Sequence, residues 1–168
     1  MRCADESQMK NTVLNEFLSY VISIGAIATL WALFYKFACP KVCVEINEAS
    51  ISFKSSKGQI SPKPLLYISK VKKRNRLLFV GQEFSPTEPS LRIDLFNYDA
   101  EGGVREYLEC VAAYFRYGFQ KVIGRSFFVV PKVTIKGAEN LFSKYGALTS
   151  DSFAKAVRQA GAIECNIE

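Results

Sequence analysis

The fold is decided by residues 104–133, VREYLECVAAYFRYGFQKVIGRSFFVVPKV, in which the spacing of the apolar residues changes. Up to Ile123 the apolar residues recur every three or four positions, which predicts a helix with one buried face. Gly124 follows as a helix C-cap. The nearly continuous apolar run SFFVVPKV, 126–133, then predicts a strand buried on both faces. A helix followed at once by a buried strand is typical of an α/β domain.

The segments on either side agree with this class. Upstream, alternating runs bounded by turn residues predict short strands at 42–46, 50–54, 64–71, 76–81 and 91–96. Downstream, the pattern predicts a short helix over 138–145, a helix over 149–160 that opens with the N-cap string Thr-Ser-Asp-Ser, and a strand over 162–167. We therefore predict, over residues 41–168, an α/β domain with antiparallel front strands and a later parallel βαβα segment.

The composition excludes several classes of protein. A chain of 168 residues that is 49% apolar is not intrinsically disordered. It has no histidine, which excludes a Ser–His or Cys–His mechanism within this chain alone. Its five cysteines are odd in number and widely spread, which is unlike a disulfide framework and favours a reducing compartment.

A second long apolar stretch, FLSYVISIGAIATLWALFY at 17–35, carries no charged residue. As a helix it is long enough to cross the ~30 Å hydrocarbon core of a bilayer. We therefore divide the chain into a short N-terminal tail (1–12), a transmembrane helix (13–38) and a soluble domain (41–168). A cleaved signal peptide and a buried soluble helix are the alternatives. The length of the run and the acidic residues Asp5 and Glu6 before it disfavour the signal peptide.

The charges that flank this stretch predict its orientation. Lys36 and Lys41 follow it directly, and the formal charge of +6 belongs wholly to residues 41–168. The positive-inside rule therefore places the C-terminal domain in the cytoplasm. In a bacterium the chain would be a single-pass, integral protein of the cell inner membrane.

In the order of its elements and in several local strings, the soluble part resembles the first large subdomain of the actin-like ATPase superfamily, in particular the bacterial rod-shape-determining MreB family. VEINEASISF (44–53), SPKPLLYI (61–68) and LLFVGQEF (77–84) are similar to the family's early strands. YLECVAAYFRYGF (107–119) with FFVVP (127–131), and SFAKAVRQAGAIECNIE (152–168), are similar to its two helix–strand steps. The resemblance implies an actin-like (ribonuclease H-like) half domain, truncated before the half that supplies the adenosine pocket.

One departure from the family bears on chemistry. Where the family's first turn cradles phosphate with glycine, hydroxyl and aspartate groups, this chain has Glu45-Ile46-Asn47-Glu48. Two carboxylates at that place repel a polyphosphate, and no GxxxxGK[ST] string occurs elsewhere. We interpret Glu45, Asn47 and Glu48 as a degenerate phosphate turn, and we predict no catalytic residues, no ATPase activity, no metal and no cofactor.

Two further groups of residues are candidates for membrane contact. Cys39 and Cys43 follow the apolar stretch, where S-acylation is feasible, although unmodified thiols are the plainer interpretation. A basic run could contact anionic headgroups or form a solvated turn; it consists of Lys70, Lys72, Lys73, Arg74 and Arg76. Nucleic acid is disfavoured as a partner, because the only aromatic residues that flank this run, Tyr67 and Phe79, are predicted strand residues.

Together these features favour a membrane-anchored, non-catalytic adaptor that displays a degenerate half domain. Its partner would be a protein, such as an actin-like filament or a cell-envelope assembly involved in cell shape. The expected binding surface is a sheet edge or the face that the absent half would cover, and we expect that face to expose apolar area. The alternatives are a nucleotide-binding ATPase subunit completed by another chain, and a truncated relative without function.

Overall fold

The computed structural model describes residues 3–69, 76–85, 89–98, 103–124, 130–142 and 148–168, without the side chains of residues 3–15, 36–38 and 76. The chain divides into two compact units, Met1–Phe37 and Ala38–Glu168.

The described part of the first unit is helical and belongs to α1, Cys3–Ala38, whose last residue falls in the second unit. The helix begins at Cys3, so most of the predicted N-terminal tail is helical. Two hydroxyl groups inside the apolar stretch bond to the carbonyl one turn earlier: Ser23 Oγ donates to Ser19 O at 2.8 Å, and Thr29 Oγ1 donates to Gly25 O at 2.5 Å. Hydroxyl groups satisfied within their own helix are compatible with an apolar surrounding.

The second unit contains eight strands and three helices among its described residues. They are β1 (Lys41–Ile46), β2 (Ile51–Ser55), β3 (Gly58–Ile60), β4 (Leu65–Ser69), β5 (Arg76–Val80), β6 (Ser90–Asp94), α2 (Gly103–Ile123), β7 (Lys132–Lys136), α3 (Glu139–Phe142), α4 (Ser150–Gln159) and β8 (Glu164–Ile167). The α/β class is confirmed, as are the helix before Gly124 and the helix that begins after Thr149. Strand β3 was not predicted, because three residues are too few to show a periodic pattern.

Five strands form one mixed sheet in the order β3-β2-β1-β7-β8. β1, β2 and β3 pair antiparallel, whereas β7 is parallel to both β1 and β8. The parallel pairing predicted for the later part of the chain is therefore confirmed. α4 makes the crossover between β7 and β8, as a connection between neighbouring parallel strands requires.

One face of this sheet is covered by helices. α2 contacts β2, β3 and α4, and α4 contacts β8. The ring of Phe53 is fully buried and lies against Phe115 and Phe119, with ring centroids 5.4 Å and 6.0 Å away. Gly118 leaves room for that ring, because a Cβ there would lie 2.5 Å from its atoms. The core of the unit is therefore an aromatic layer between helix and sheet.

The other three strands form a separate antiparallel sheet in the order β5-β4-β6. Its inner face contributes Leu66, Val80 and Ile93 to the same core. The Tyr114 hydroxyl of α2 donates a 2.7 Å hydrogen bond to Pro62 O, just before β4. Helix α2 is thus the element against which both sheets pack.

The strand predicted over 126–133 was wrong in position and in burial. Residues 125–129 lie outside the described residues, Val130 and Pro131 precede the strand, and β7 begins at Lys132. Pro131 has no N–H to donate to a ladder, so regular pairing starts after it. Only alternate residues of β7, Val133 and Ile135, are buried, because the described helices α2 and α4 pack on that face of the sheet.

Candidate functional site

In parallel α/β sheets ligands bind beyond the carboxyl ends of the strands. In this unit that end carries the turn after β1, which joins it to β2 with Ile46 opposite Ile51, and the loop from β7 into α3. The predicted degenerate phosphate turn lies here. Glu45 and Ile46 are the last residues of β1, and Asn47 and Glu48 are exposed in the turn.

Backbone groups of this turn are hydrogen-bonded within the protein. The Asn47 N–H donates to Ser50 O at 2.9 Å, and the Asn140 amide of α3 donates to Ile46 O at 2.8 Å. Gly137 has a φ of +74°, and a Cβ there would overlap the Ile46 carbonyl oxygen. The loop after β7 is therefore packed against the turn after β1, and the Ile46 carbonyl is occupied by the Asn140 amide.

The charges at this end are mixed and exposed. Glu45 is a lateral neighbour of Lys136 across the parallel pair β1–β7, and Lys136 Nζ lies 3.5 Å from Glu168 Oε2. Exposed ion pairs of this kind stabilise little, typically less than about 1 kcal/mol. Among the described residues, no group of three or more acidic and cysteine side chains could hold a metal ion.

The face of the five-stranded sheet opposite α2 and α4 is polar over its described residues. The expectation of an exposed apolar binding face stays a prediction. Lys54 and Thr134 flank Cys43 on neighbouring strands, and cross-strand ion pairs join Lys132 to Glu164 at 3.6 Å and Lys136 to Glu168. The reason is the period-2 alternation of β1, β7 and β8, which directs their apolar residues to the helices.

The two candidate acylation sites differ in accessibility. Cys39 is only 5% exposed, whereas Cys43 is half-buried on the polar face of the sheet. Burial counts against Cys39 as an acceptor of a lipid chain, and Cys43 remains the more accessible of the two. Acylation of either residue stays a prediction.

Two other cysteines are shielded. Burial raises the pKa of the Cys110 thiol to about 11, with smaller contributions from the carboxylates of Glu106 and Glu109. Burial also raises the pKa of Cys165 to about 11, against a lowering effect of Arg158. Both thiols are therefore protonated, unreactive core residues at neutral pH.

Most of the basic run lies outside the described residues, namely Lys70, Lys72, Lys73 and Arg74. Arg76 is the first residue of β5 and is paired with Ser69 at the end of β4. Headgroup contact by the run therefore stays a prediction.

Sequence reasoning missed the two residues that close the turn after β1. Gly137 and Asn140 lie more than 90 positions from Ile46, and no local pattern signals a contact of that range. A Gly-Ala-Glu-Asn string directly after a strand was the one available sign, since glycine followed by asparagine is typical of a tight connection.

The apolar stretch lies within α1 as a 20-residue span, Glu16–Tyr35, with a mean hydropathy of 2.0 and none of its most apolar window buried. Its length and composition suffice to cross a membrane. The lack of burial is unlike the core helix of a soluble protein.

No protein-family model matches the chain, and no curated protein matches it. Among solved structures it is similar to MreB 5 of Spiroplasma citri, crystallised with AMPPNP, with a TM-score of 0.49 and 10% sequence identity. The match covers 77% of this chain and 38% of that chain, so the sequence spans less than two thirds of its neighbour. The α/β class is established by the strands and helices described above, and membership of the MreB family stays a prediction.

Proposed function

We propose that the chain is a single-pass membrane protein whose second unit is a non-catalytic, actin-like adaptor domain facing the cytoplasm. The observation that carries the proposal is the span Glu16–Tyr35, unburied and 20 residues long, in the same chain as a unit with its own aromatic core. Residues 36–40 alone separate the span from β1. Such a short connection holds the second unit near the bilayer, where it can recruit a partner.

The closed turn after β1 supports a role without nucleotide chemistry. The Ile46 carbonyl is occupied by Asn140, and the exposed carboxylates Glu45 and Glu48 repel polyphosphate. The alternative is an ATPase subunit completed by another chain. Binding of Mg-ATP by the full chain in detergent distinguishes the two. We expect none at millimolar nucleotide, and saturable binding that Glu45→Gln or Glu48→Gln changes would favour the ATPase subunit.

The membrane part of the proposal is tested by fractionation. The full chain should stay in the pellet after alkaline extraction, and its intact mass should correspond to 18.8 kDa, since a cleaved signal peptide would shorten it. Protease added to inverted vesicles should digest the second unit, whereas intact spheroplasts should protect it. Protection in the inverted vesicles would reverse the proposed orientation.

The polar face of the five-stranded sheet is the proposed surface for a protein partner, because the described helices α2 and α4 pack on the opposite face. The full chain in vesicles should co-sediment with filaments of an actin homologue, and Lys54→Glu combined with Thr134→Glu should abolish this. Lys155→Glu, on the exposed side of α4, is the matched control and should have no effect. Absence of co-sedimentation at every salt concentration would count against the adaptor role.

A further inference from the structure

The outer surface of the helical layer is basic along the C-terminal parts of α2 and α4. Residues 113–123 of α2 and 152–159 of α4 contain no aspartate or glutamate. The charged side chains of these two stretches are all cationic and all exposed, namely Arg116, Lys121, Lys155 and Arg158. Arg116 Nη2 donates to Gln159 O at 2.8 Å, so these parts of the two helices meet. We call Arg116, Lys155 and Arg158 the basic helical surface.

The three cations of this surface form no ion pair with a carboxylate that the structure describes. Other cations of the second unit lie between 2.8 and 3.6 Å from a glutamate carboxylate, namely Lys63, Arg105, Lys132 and Lys136. The helix dipole favours a cation mainly within the last turn of a helix, where Arg158 lies, whereas Lys155 lies in the middle of α4. The charge of the surface is therefore available to an anionic group of another molecule.

The chemistry of the basic helical surface suits carboxylates. A guanidinium group carries several N–H donors in a planar fork that matches the geometry of a carboxylate. The bond to Gln159 O uses one donor of Arg116 and holds its guanidinium group in place. Lys155 and Arg158 are three positions apart on α4 and share one side of that helix. Two guanidinium groups and one ammonium group are thus presented together and can bind several carboxylates at once.

Neither a bilayer nor a nucleic acid matches this surface as well as protein carboxylates do. Interfacial docking uses apolar side chains that enter the acyl boundary, whereas the exposed uncharged residues of the two stretches are Gln120 and Gln159. Single-stranded nucleic acid binds where aromatic rings offer stacking faces beside cations. The aromatic residue of these stretches that reaches the surface, Tyr117, is half-buried, and Lys121 Nζ lies 5.6 Å from its ring centroid.

We propose that the basic helical surface binds a carboxylate-rich segment of a partner protein. Charge complementarity selects this occupant, because the exposed side chains of the two stretches are cationic or polar. α2 and α4 pack on the side of the five-stranded sheet opposite its polar face. Binding of the segment therefore requires neither the filament nor the polar face proposed to contact it.

The test measures binding of a fluorescein-labelled peptide rich in Asp and Glu to the full chain in a nonionic detergent, by fluorescence anisotropy. We expect saturable binding that weakens as salt is raised, and no binding of the Asn/Gln counterpart of the peptide. Arg116→Gln with Lys155→Gln and Arg158→Gln should raise Kd about tenfold, because three exposed charged contacts are lost. Lys155→Gln alone should raise Kd about threefold and replaces the triple variant if that variant does not fold.

Matched variants separate a local surface from net charge and from a structural role. Lys41→Gln with Lys54→Gln and Lys121→Gln removes the same charge at other exposed positions and should raise Kd less than about twofold. Arg116→Lys with Arg158→Lys keeps the charge but loses the planar fork, and should raise Kd about threefold. The near-ultraviolet circular dichroism of each variant should match that of the unsubstituted chain, because the changed side chains are exposed.

Several outcomes would overturn the proposed surface. They are the absence of saturable binding, equal binding of the neutral peptide, and an equal rise in Kd for the two triple variants. Displacement of most of the acidic peptide by a single-stranded oligonucleotide, or by short-chain phosphatidylglycerol, at equal charge concentration would assign the surface to nucleic acid or lipid instead.

The same variants distinguish this surface from the adaptor role. Lys54→Glu with Thr134→Glu, on the polar face, should change the Kd of the acidic peptide less than about twofold. Peptide binding that depends on the basic helical surface, without co-sedimentation with filaments, would overturn the adaptor role alone. Co-sedimentation without saturable peptide binding would overturn the basic helical surface alone.

Discussion

Gly137 and Asn140 fix the turn after β1 without belonging to it. Gly137 takes a φ of +74° as the chain leaves β7, and Asn140 then donates to Ile46 O at 2.8 Å. A larger residue at 137 would meet the Ile46 carbonyl. Two residues from a later part of the chain therefore hold the turn after β1 in place through the Ile46 carbonyl.

Replacing Gly137 by alanine should be more destabilising than the same change at Gly161. Both have positive φ, +74° and +113°, but an added Cβ has open space only at Gly161. Backbone strain alone should lower the free energy of unfolding of Gly161→Ala by about 1 kcal/mol, and the additional overlap should bring Gly137→Ala to about 3 kcal/mol. Urea unfolding of the full chain in detergent, followed by near-ultraviolet circular dichroism, measures both. Equal losses would contradict a packed contact with Ile46.

The buried cysteines should react with a thiol reagent far more slowly than the more accessible Cys43. With a pKa of about 11, Cys110 and Cys165 are about 0.1% thiolate at pH 8, against roughly a quarter for an ordinary thiol. Iodoacetamide at pH 8 should therefore label Cys43 and leave these two unmodified, by peptide mass spectrometry. Labelling should accelerate towards pH 11. Denatured protein, in which every cysteine should react, is the control, and rapid native labelling of Cys110 would contradict its burial.

The raised pKa values of Cys110 and Cys165 also predict how the stability of the fold changes with pH. The thiols of the unfolded chain lose their protons near pH 9, whereas the folded pKa values lie near 11. The contribution of the two buried thiols is therefore complete below pH 9 and is lost as the pH rises towards 11.

At the scale of elements, α4 is defined by its first turn. The Thr149 side chain accepts from the Ser152 N–H at 3.2 Å, and Ser152 Oγ accepts from the Thr149 N–H at 3.2 Å. This reciprocal capping box fixes where α4 begins and thereby directs Phe153, which is fully buried, onto Phe115 of α2 with a centroid distance of 5.7 Å.

Removing one half of this box should weaken the unit measurably. Thr149→Ala is expected to lower the free energy of unfolding by about 1 kcal/mol, because an N–H of the first turn loses its acceptor. Ser150→Ala alters an exposed neighbour in the same turn and should change stability by less than about 0.5 kcal/mol. The two variants are compared in one urea series, and an effect of Ser150→Ala equal to that of Thr149→Ala would argue against the cap.

Local sequence predicted the two capped helices and also six strands, since β1, β2, β4, β5, β6 and β8 each lie within two residues of their predicted bounds. α2 and α4 carry their own periodicity, their caps at Thr149 and Gly124, and a face of regularly spaced apolar residues, so local information was sufficient. β7 was misplaced because the run around Pro131 is apolar whether or not it is paired. The division of the early strands into two sheets depends on non-local pairing that no single strand encodes. The hydrogen bond from Asn140 to the Ile46 carbonyl depends on tertiary packing for the same reason.

At the scale of the whole molecule, the two units differ in whether their apolar side chains are buried. The second unit removes its apolar residues from water by packing two sheets against α2. The span in α1 leaves large side chains such as Ile24, Ile27 and Trp31 more than 60% exposed. Exposed apolar area on that scale is unfavourable in water and marks a surface that meets lipid or protein.

Charges placed in the middle of the span should therefore release the chain from the membrane. On insertion scales a lysine at the centre of a helix costs about 3 kcal/mol, so Ile24→Lys with Ile27→Lys should shift most of the protein into the soluble fraction after alkaline extraction. Ile24→Leu with Ile27→Leu is the matched control and should remain in the pellet. The released variant should keep the near-ultraviolet spectrum of the second unit, because the core around Phe53 contains no residue of the span. A doubly substituted chain that stays in the pellet with that spectrum intact would contradict the span as the membrane anchor.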